Sequence, residues 1–250
     1  MNRLFSASRS SSQFVSKTKA KMSINKVSHC IFDMDGLLLD TETLYTKVYQ
    51  KILDPFGKVY TWDVKQTLMG SHAHEAAKLM VKTYELPITW EEFAEQAKLL
   101  TTEVMGTAEF LPGAERLLKH LHANNVPIAL GTSSSKEIAE IKMENHAAIF
   151  DLFHHKVMGS TDPDVKIGKP APDIFIVAAQ RFPDKPNPAN CLVFEDAPNG
   201  VRAATLAGMQ SVMVPDKAVA EEFRQEATIV IDSLEDFQPE LFGLPPFPTV

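Results

Sequence analysis

The chain has 250 residues, 44% of them hydrophobic, which is enough apolar material for one substantial core and a smaller insert. A formal charge of −7 argues against a general nucleic-acid binder, which needs a basic face to meet phosphates. No run of about 18 uncharged apolar residues occurs, so no membrane partner and no spanning helix are expected.

From the N-terminus, the first segment differs from the body. Residues 1–26, "MNRLFSASRSSSQFVSKTKAKMSINK", hold six Lys or Arg, seven Ser and none of the 32 acidic residues. That is the composition of a mitochondrial transit peptide; the other reading is a disordered tail with Met22 as a second start, in a protein that stays in the cytoplasm. In both readings this segment stays outside the fold. Cys30 and Cys191 fall within predicted strands and read as small buried apolar residues, which fits a reducing compartment.

After the leader, strand-like and helix-like segments alternate. "VSHCIFD" is a predicted strand, and "TETLYTKVYQKIL" places Leu44, Val48 and Ile52 at helical spacing. Residues 45–110 contain no convincing buried strand; "SHAHEAAKLMVKTYEL" and "TWEEFAEQAKLLTTEVM" read as amphipathic helices of an inserted cap, punctuated by Gly70 and Pro87. The alternation resumes with helix "LPGAERLLKHLHANN", strand "PIALGTS", helix "SKEIAEIKMENH" and strand "HHKVMG". It continues with helix "APDIFIVAAQRF", strand "CLVFED", helix "NGVRAATLAG" and strand "QSVMVP". This order predicts an α/β fold, a doubly wound parallel sheet with right-handed crossovers, built from residues 27–44 and 111–250 with the helical cap after its first strand.

In such a sheet, ligands bind outside the carboxyl ends of the strands. Polar residues gather at four such places: Asp33 and Asp35, then Thr132 and Ser133, then Lys169 in "KIGKPAPD", then Glu195 and Asp196. Carboxylates in a partly dry cleft repel one another unless a cation neutralises them, and Mg²⁺ takes one or two carboxylates, water and a substrate phosphate. A carboxylate can attack phosphorus, and a second one can give a proton to the leaving oxygen and later take one from water. Lys169 and the Thr132 hydroxyl suit the phosphate oxygens.

Other polar residues have plainer readings. Asp40 and Glu42 suit the N-terminus of the following helix. Asp173 is expected to orient the loop bearing Lys169, with Asn199 and Gly200 opening the helix after Asp196. Glu195 fits either a metal ligand or an acceptor behind one. His72 with His74, and His154 with His155, lack the partners of a zinc site. Met69 and Gly70 are candidate substrate contacts in the cap, and residues 41–45 and 110–113 are its expected hinges.

"DMDGLLLD" resembles the first motif, DxDGxxxD, of the haloacid dehalogenase-like hydrolases, and "GTSSS", "GKPAPD" and "VFEDAPNGVRAA" are similar to the second, third and fourth in order. The likeness spans residues 27–244. It implies Asp33 as nucleophile and Asp35 as general acid and base, with Thr132, Ser133 and Lys169 holding phosphate. It also implies Mg²⁺ held by Asp33, Asp35 (through its backbone carbonyl), Glu195 and Asp196. The implied activity is a phosphatase for a small-molecule phosphomonoester; the acidic, patchy surface calls for no obligate partner, and a monomer is expected on that ground. Segments outside the motifs, "WDVK", "AGMQ" and "DFQPELFGLP", resemble one small-capped branch that acts on a modified nucleoside 5'-monophosphate, and the substrate class rests on that likeness alone. A sugar or glycerol phosphate phosphatase, a phosphomutase and a non-catalytic binding module are the other readings. Tyr45 and Ala73 stand where family mutases carry a His and a basic residue, which favours hydrolysis. Neighbouring negative charge and partial burial are expected to raise the pKa of Asp35 relative to Asp33.

Overall fold

A computed structural model describes residues 24–68 and 73–248. Most of the N-terminal leader, and with it Met22, lies outside the described residues, as do Met69, Gly70 and His72.

Six strands form one all-parallel sheet in the order β3, β2, β1, β4, β5, β6. They are β1 (His29–Phe32), β2 (Ile128–Thr132), β3 (His155–Met158), β4 (Cys191–Glu195), β5 (Gln210–Met213) and β6 (Ile229–Val230). The chain leaves β1 toward β2 on one side and later returns to place β4 on the other, so strand order reverses at β1. That reversal opens a crevice at the carboxyl ends of β1, β2 and β4. The expected doubly wound sheet is observed. Only β6, two residues long, had too little alternation to be read from sequence.

Consecutive residues of a strand face opposite sides, and the core divides accordingly. Cys30, Phe32, Leu130 and Phe194 pack on one side with helix α5 (Ala114–Ala123), while Ile31, Ala129 and Val193 pack on the other. The second side is covered by α8 (Asp173–Gln180) and α9 (Pro198–Leu206). Phe32 and Phe194 stack across β1 and β4 with centroids 4.4 Å apart. Burial on both faces explains why the strands read as continuous apolar runs.

Four helices between β1 and α5 share a separate apolar cluster that includes Val48, Ile52, Met80 and Phe93. They are α1 (Thr41–Leu53), α2 (Trp62–Leu68), α3 (Ala73–Tyr84) and α4 (Trp90–Val104). The Asp40 carboxylate accepts from the Thr43 amide at 3.3 Å, as expected of a cap residue. Thr89 and Glu92 form a reciprocal capping box at the start of α4. Helix α2, seven residues with only Leu68 buried, left too weak a pattern to be predicted. Two further helices, α6 (Lys136–Glu144) and α7 (Ala147–Phe150), connect β2 to β3.

The C-terminal segment runs back over α5. Gly113, where the chain enters α5, has φ +83°, and an added Cβ would stand 2.4 Å from the Glu235 nitrogen. The Arg116 guanidinium donates to the Glu235 carbonyl at 2.9 Å and lies over the Phe247 ring. No helix among the described residues is long and apolar enough to cross a membrane.

Candidate active site

The crevice gathers the residues that the sequence marked. Asp33 follows the last residue of β1, Thr132 ends β2, and Glu195 ends β4 with Asp196 next. Lys169, from the loop between β3 and α8, donates from Nζ to Asp33 Oδ1 at 2.5 Å, to Glu195 Oε1 at 2.6 Å and to the Gly131 carbonyl at 3.1 Å. Three donors meet three acceptors, which suits a buried ammonium. The loop that carries Lys169 is held by the Asp173 carboxylate, which accepts from the Lys166 and Ile167 amides at 3.1 and 3.0 Å. That is the orienting role expected of Asp173.

The second oxygen of Glu195 accepts from the amides of Asp196 and Ala197 at 3.1 and 3.2 Å. Room for this carboxylate exists because residue 200 is glycine: a Cβ there would stand 1.8 Å from Glu195 Oε1. Gly200→Ala, a good helix former in a helix, should therefore keep the fold but displace Glu195. We expect a fall in activity of about 100-fold, with the melting temperature of the metal-free protein within a few degrees of wild type. Activity within threefold of wild type would show that the position of Glu195 does not matter.

One oxygen each from Asp33, Glu195 and Asp196 lie within 4.8 Å of one another, all buried. Three carboxylates face the single ammonium of Lys169, so a divalent cation fits the remaining negative charge. The protonation pattern agrees. Burial pushes the Asp33 carboxyl up to about 7, the Lys169 charge opposing and the charges of Glu195 and Asp35 adding to the rise. Burial, then Glu195 and Asp33, push Asp196 well above the usual carboxylate range. Lys169 stays charged: burial works against it, but Asp33 and Glu195 more than restore it.

Asp35 corrects an expectation. Burial again favours its neutral form, but the ammonium of Lys142 and the bonds around it outweigh burial and hold Asp35 below the ordinary carboxylate range. The expected order of the two aspartates is thus reversed in this arrangement, because Lys142 was assigned no role in the sequence reading. Asp35 Oδ1 takes a short contact from Lys142 Nζ, and Oδ2 accepts from the hydroxyls of Ser134 at 2.9 Å and Thr132 at 3.2 Å. Thr132 therefore lies fully buried under the crevice with its hydroxyl on Asp35, whereas Ser133 lines the open space. Helix α6 buries Ala139, Lys142 and Met143, and a lysine at that spacing on an apolar face was the available signal.

The cleft above these groups has a volume of about 510 Å³. Its floor is the carboxylate cluster and Lys169, and its opposite wall comes from the cap helices, with Tyr45, Tyr49, Tyr60 and Phe93 among the lining residues. Tyr45 and Tyr49 lie nearly parallel at 6.1 Å, and Tyr60 meets Tyr49 edge-on at 5.4 Å. Glu42, expected only to favour the helix start, also pairs with Lys65 at 3.4 Å and lines the cleft. Among the described residues, no histidine takes part in a metal-binding group, and the two cysteines are free and buried.

A parallel sheet whose central strands deliver clustered carboxylates and a lysine to one crevice, under a helical cap, defines a hydrolase class. Residues 27–208 match the model of the haloacid dehalogenase-like hydrolases, and the chain belongs to that family. It is 55% identical over 224 residues to a Drosophila melanogaster protein named "Probable pseudouridine-5'-phosphatase", covering 90% of this chain and 97% of that one. It is 46% identical to (DL)-glycerol-3-phosphatase 2 of Arabidopsis thaliana, covering 88% and 93%. Among solved structures, β-phosphoglucomutase from Clostridium difficile superposes with a TM-score of 0.71 at 26% identity, covering 86% and 94%. The expected fold and the expected membership of a phosphatase-bearing family are both borne out.

Proposed function

We propose that the chain is a Mg²⁺-dependent phosphomonoesterase that works through an aspartyl-phosphate and acts on a nucleoside 5'-monophosphate, pseudouridine 5'-phosphate first among them. The observation that carries the chemistry is the gathering of Asp33, Glu195, Asp196 and Lys169 at one crevice. In this reading the Asp33 carboxylate attacks phosphorus, the phosphorus–oxygen bond to the alcohol breaks, and Asp35, which has first to take up a proton from solvent against the pull of Lys142, supplies the proton that the leaving oxygen takes. Asp35, ionised again, then takes a proton from the water that releases phosphate. Lys169 and Ser133 face the phosphate, with Thr132 behind them on Asp35. Asp33, Glu195, Asp196 and the Asp35 backbone carbonyl would hold Mg²⁺, which neutralises phosphate charge when bound.

The substrate part is supported by the Drosophila relative's name and by the cap wall. A planar base finds aromatic faces in Tyr45, Tyr49 and Tyr60, whereas a glycerol leaving group would have little to fill a cleft of this size. Phosphate release is to be measured with Mg²⁺ from pseudouridine 5'-phosphate, uridine 5'-phosphate, glycerol 3-phosphate and 2-deoxyglucose 6-phosphate. We expect kcat/KM for the pseudouridine compound to exceed the others by about tenfold or more. Preference for another ester would keep the chemistry and overturn the substrate; no release from any would overturn the phosphatase.

The raised carboxyls give a metal-linked pH dependence. Without metal, folded Asp33 binds its proton up to about pH 7, whereas the unfolded chain releases it near pH 4. The stability this contributes is complete below about pH 4 and is lost as pH rises toward 7. Mg²⁺ has to displace that proton, so its affinity should rise severalfold per pH unit between pH 5 and 7. Calorimetric Mg²⁺ titrations at several pH values check this, and a flat affinity would sink it.

A further inference from the structure

We propose that Lys142 is a positioning residue that joins the cap to the acid–base carboxylate, one ammonium holding Tyr45 of α1 and Asp35 of the core so that Asp35 is aimed by the cap's position. The inference rests on the reading that Asp35 exchanges protons with substrate and water.

Lys142 is 0% exposed. Its ammonium contacts Asp35 Oδ1 and donates to Tyr45 Oη at 2.9 Å and to Ser134 Oγ at 2.9 Å. An ammonium has three N–H groups, and all three are used. The partners come from three places: the loop after β1, the first helix of the cap, and the loop after β2. The same ammonium also stands 4.9 Å from the Tyr45 ring centroid.

Packing alone does not explain a charge here. Removing a lysine from water is costly, and a buried ion pair can often be replaced as a whole by apolar side chains at equal or better stability. What the ammonium adds is direction. It fixes one oxygen of Asp35 while Ser134 and Thr132 fix the other. Moving α1 away would take Tyr45 Oη with it and leave a buried N–H without an acceptor, an arrangement that is disfavoured. Position of the cap and orientation of the carboxylate are thereby coupled.

The rest of α6 and its C-terminal end meet the cap side as well. Lys98 of α4 pairs with Glu137 at 2.9 Å, Asn145 Nδ2 donates to the Gly106 carbonyl at 2.6 Å, and His146 Nε2 bonds to the Ala108 carbonyl at 2.7 Å. The Lys98 pair is well exposed and contributes little. Lys142 is the contact on this seam that also reaches the reacting groups.

The test is a double-mutant cycle on the full chain with Tyr45→Phe, Lys142→Met and the pair, measuring kcat and KM for the best phosphomonoester of the wild type. We expect Tyr45→Phe to lower kcat about tenfold and Lys142→Met about 100-fold, each with KM within about threefold. In the Lys142→Met background, Tyr45→Phe should cost less than about twofold further, since the link it acts through is gone. Independent, multiplying effects on kcat would overturn the proposal. If Lys142→Met does not fold, Tyr45→Phe alone decides. A loss in kcat at constant KM supports the link, whereas a rise in KM at constant kcat, or no effect, overturns it. A wild type that hydrolyses no phosphomonoester overturns the phosphatase reading and this proposal together. An active wild type with additive variants overturns this one alone.

Discussion

Asp33→Asn is expected to reduce phosphate release by about 10⁴-fold or more, the largest effect of any single substitution in this protein. The amide keeps the shape of the side chain, so the apolar ends of β1 and β4 around it should stay packed. It cannot form an acyl phosphate, however, and it removes one of the two carboxylates that Lys169 serves. Loss of the nucleophile and loss of a metal ligand are separated by measuring Mg²⁺ affinity on the same variant. A fall in affinity of tenfold or so with a far larger fall in rate assigns most of the effect to the missing attack on phosphorus. A residual rate within tenfold of wild type would place the nucleophile elsewhere.

Lys169→Met should be nearly as damaging to rate and more damaging to the fold. The substitution leaves Asp33 and Glu195 buried with no ammonium between them, and breaking such a pair destabilises by about 3–5 kcal/mol. We expect kcat/KM to fall about 10³-fold, because a full charge facing the phosphate is removed from a desolvated place. Thr132→Ala, which takes away only a hydroxyl, should cost closer to tenfold. The instability of Lys169→Met should be largest in metal-free protein and partly relieved by Mg²⁺, which thermal melts with and without the ion will show. Equal and small effects of the two substitutions would dismantle the phosphate site proposed here.

How much of this was legible in the sequence depends on how local the cause is. The strand ends were readable because a buried parallel strand is a short apolar run, and a carboxylate closing such a run stands out; Asp33, Glu195 and Asp196 were found that way. Helix α1 was read to its observed ends because Asp40 caps it and its apolar spacing is regular. Helix α2 and strand β6 were missed because each buries too little of itself to leave a pattern. Lys142 was missed for a different reason. Its importance comes from two partners far away in the chain, Tyr45 at 97 residues' separation and Asp35 at 107, and no short window of sequence contains them together with Lys142. The pKa order of Asp33 and Asp35 failed with it, since that order depends on which ammonium each carboxylate meets in space. The roles of Met69 and Gly70 fall outside the described residues.

The contact of the C-terminal segment with Gly113 bears on how this architecture can be rebuilt. An inserted cap is joined to its core by two strands of chain, and exchanging caps between relatives would be planned around two splice points. Here the second connection is pressed against Leu234 and Glu235, with Arg116 reaching the Glu235 carbonyl. The junction is thus a three-part seam, and a chimera that imports a cap together with its own return segment has to import the matching residues near 234 as well.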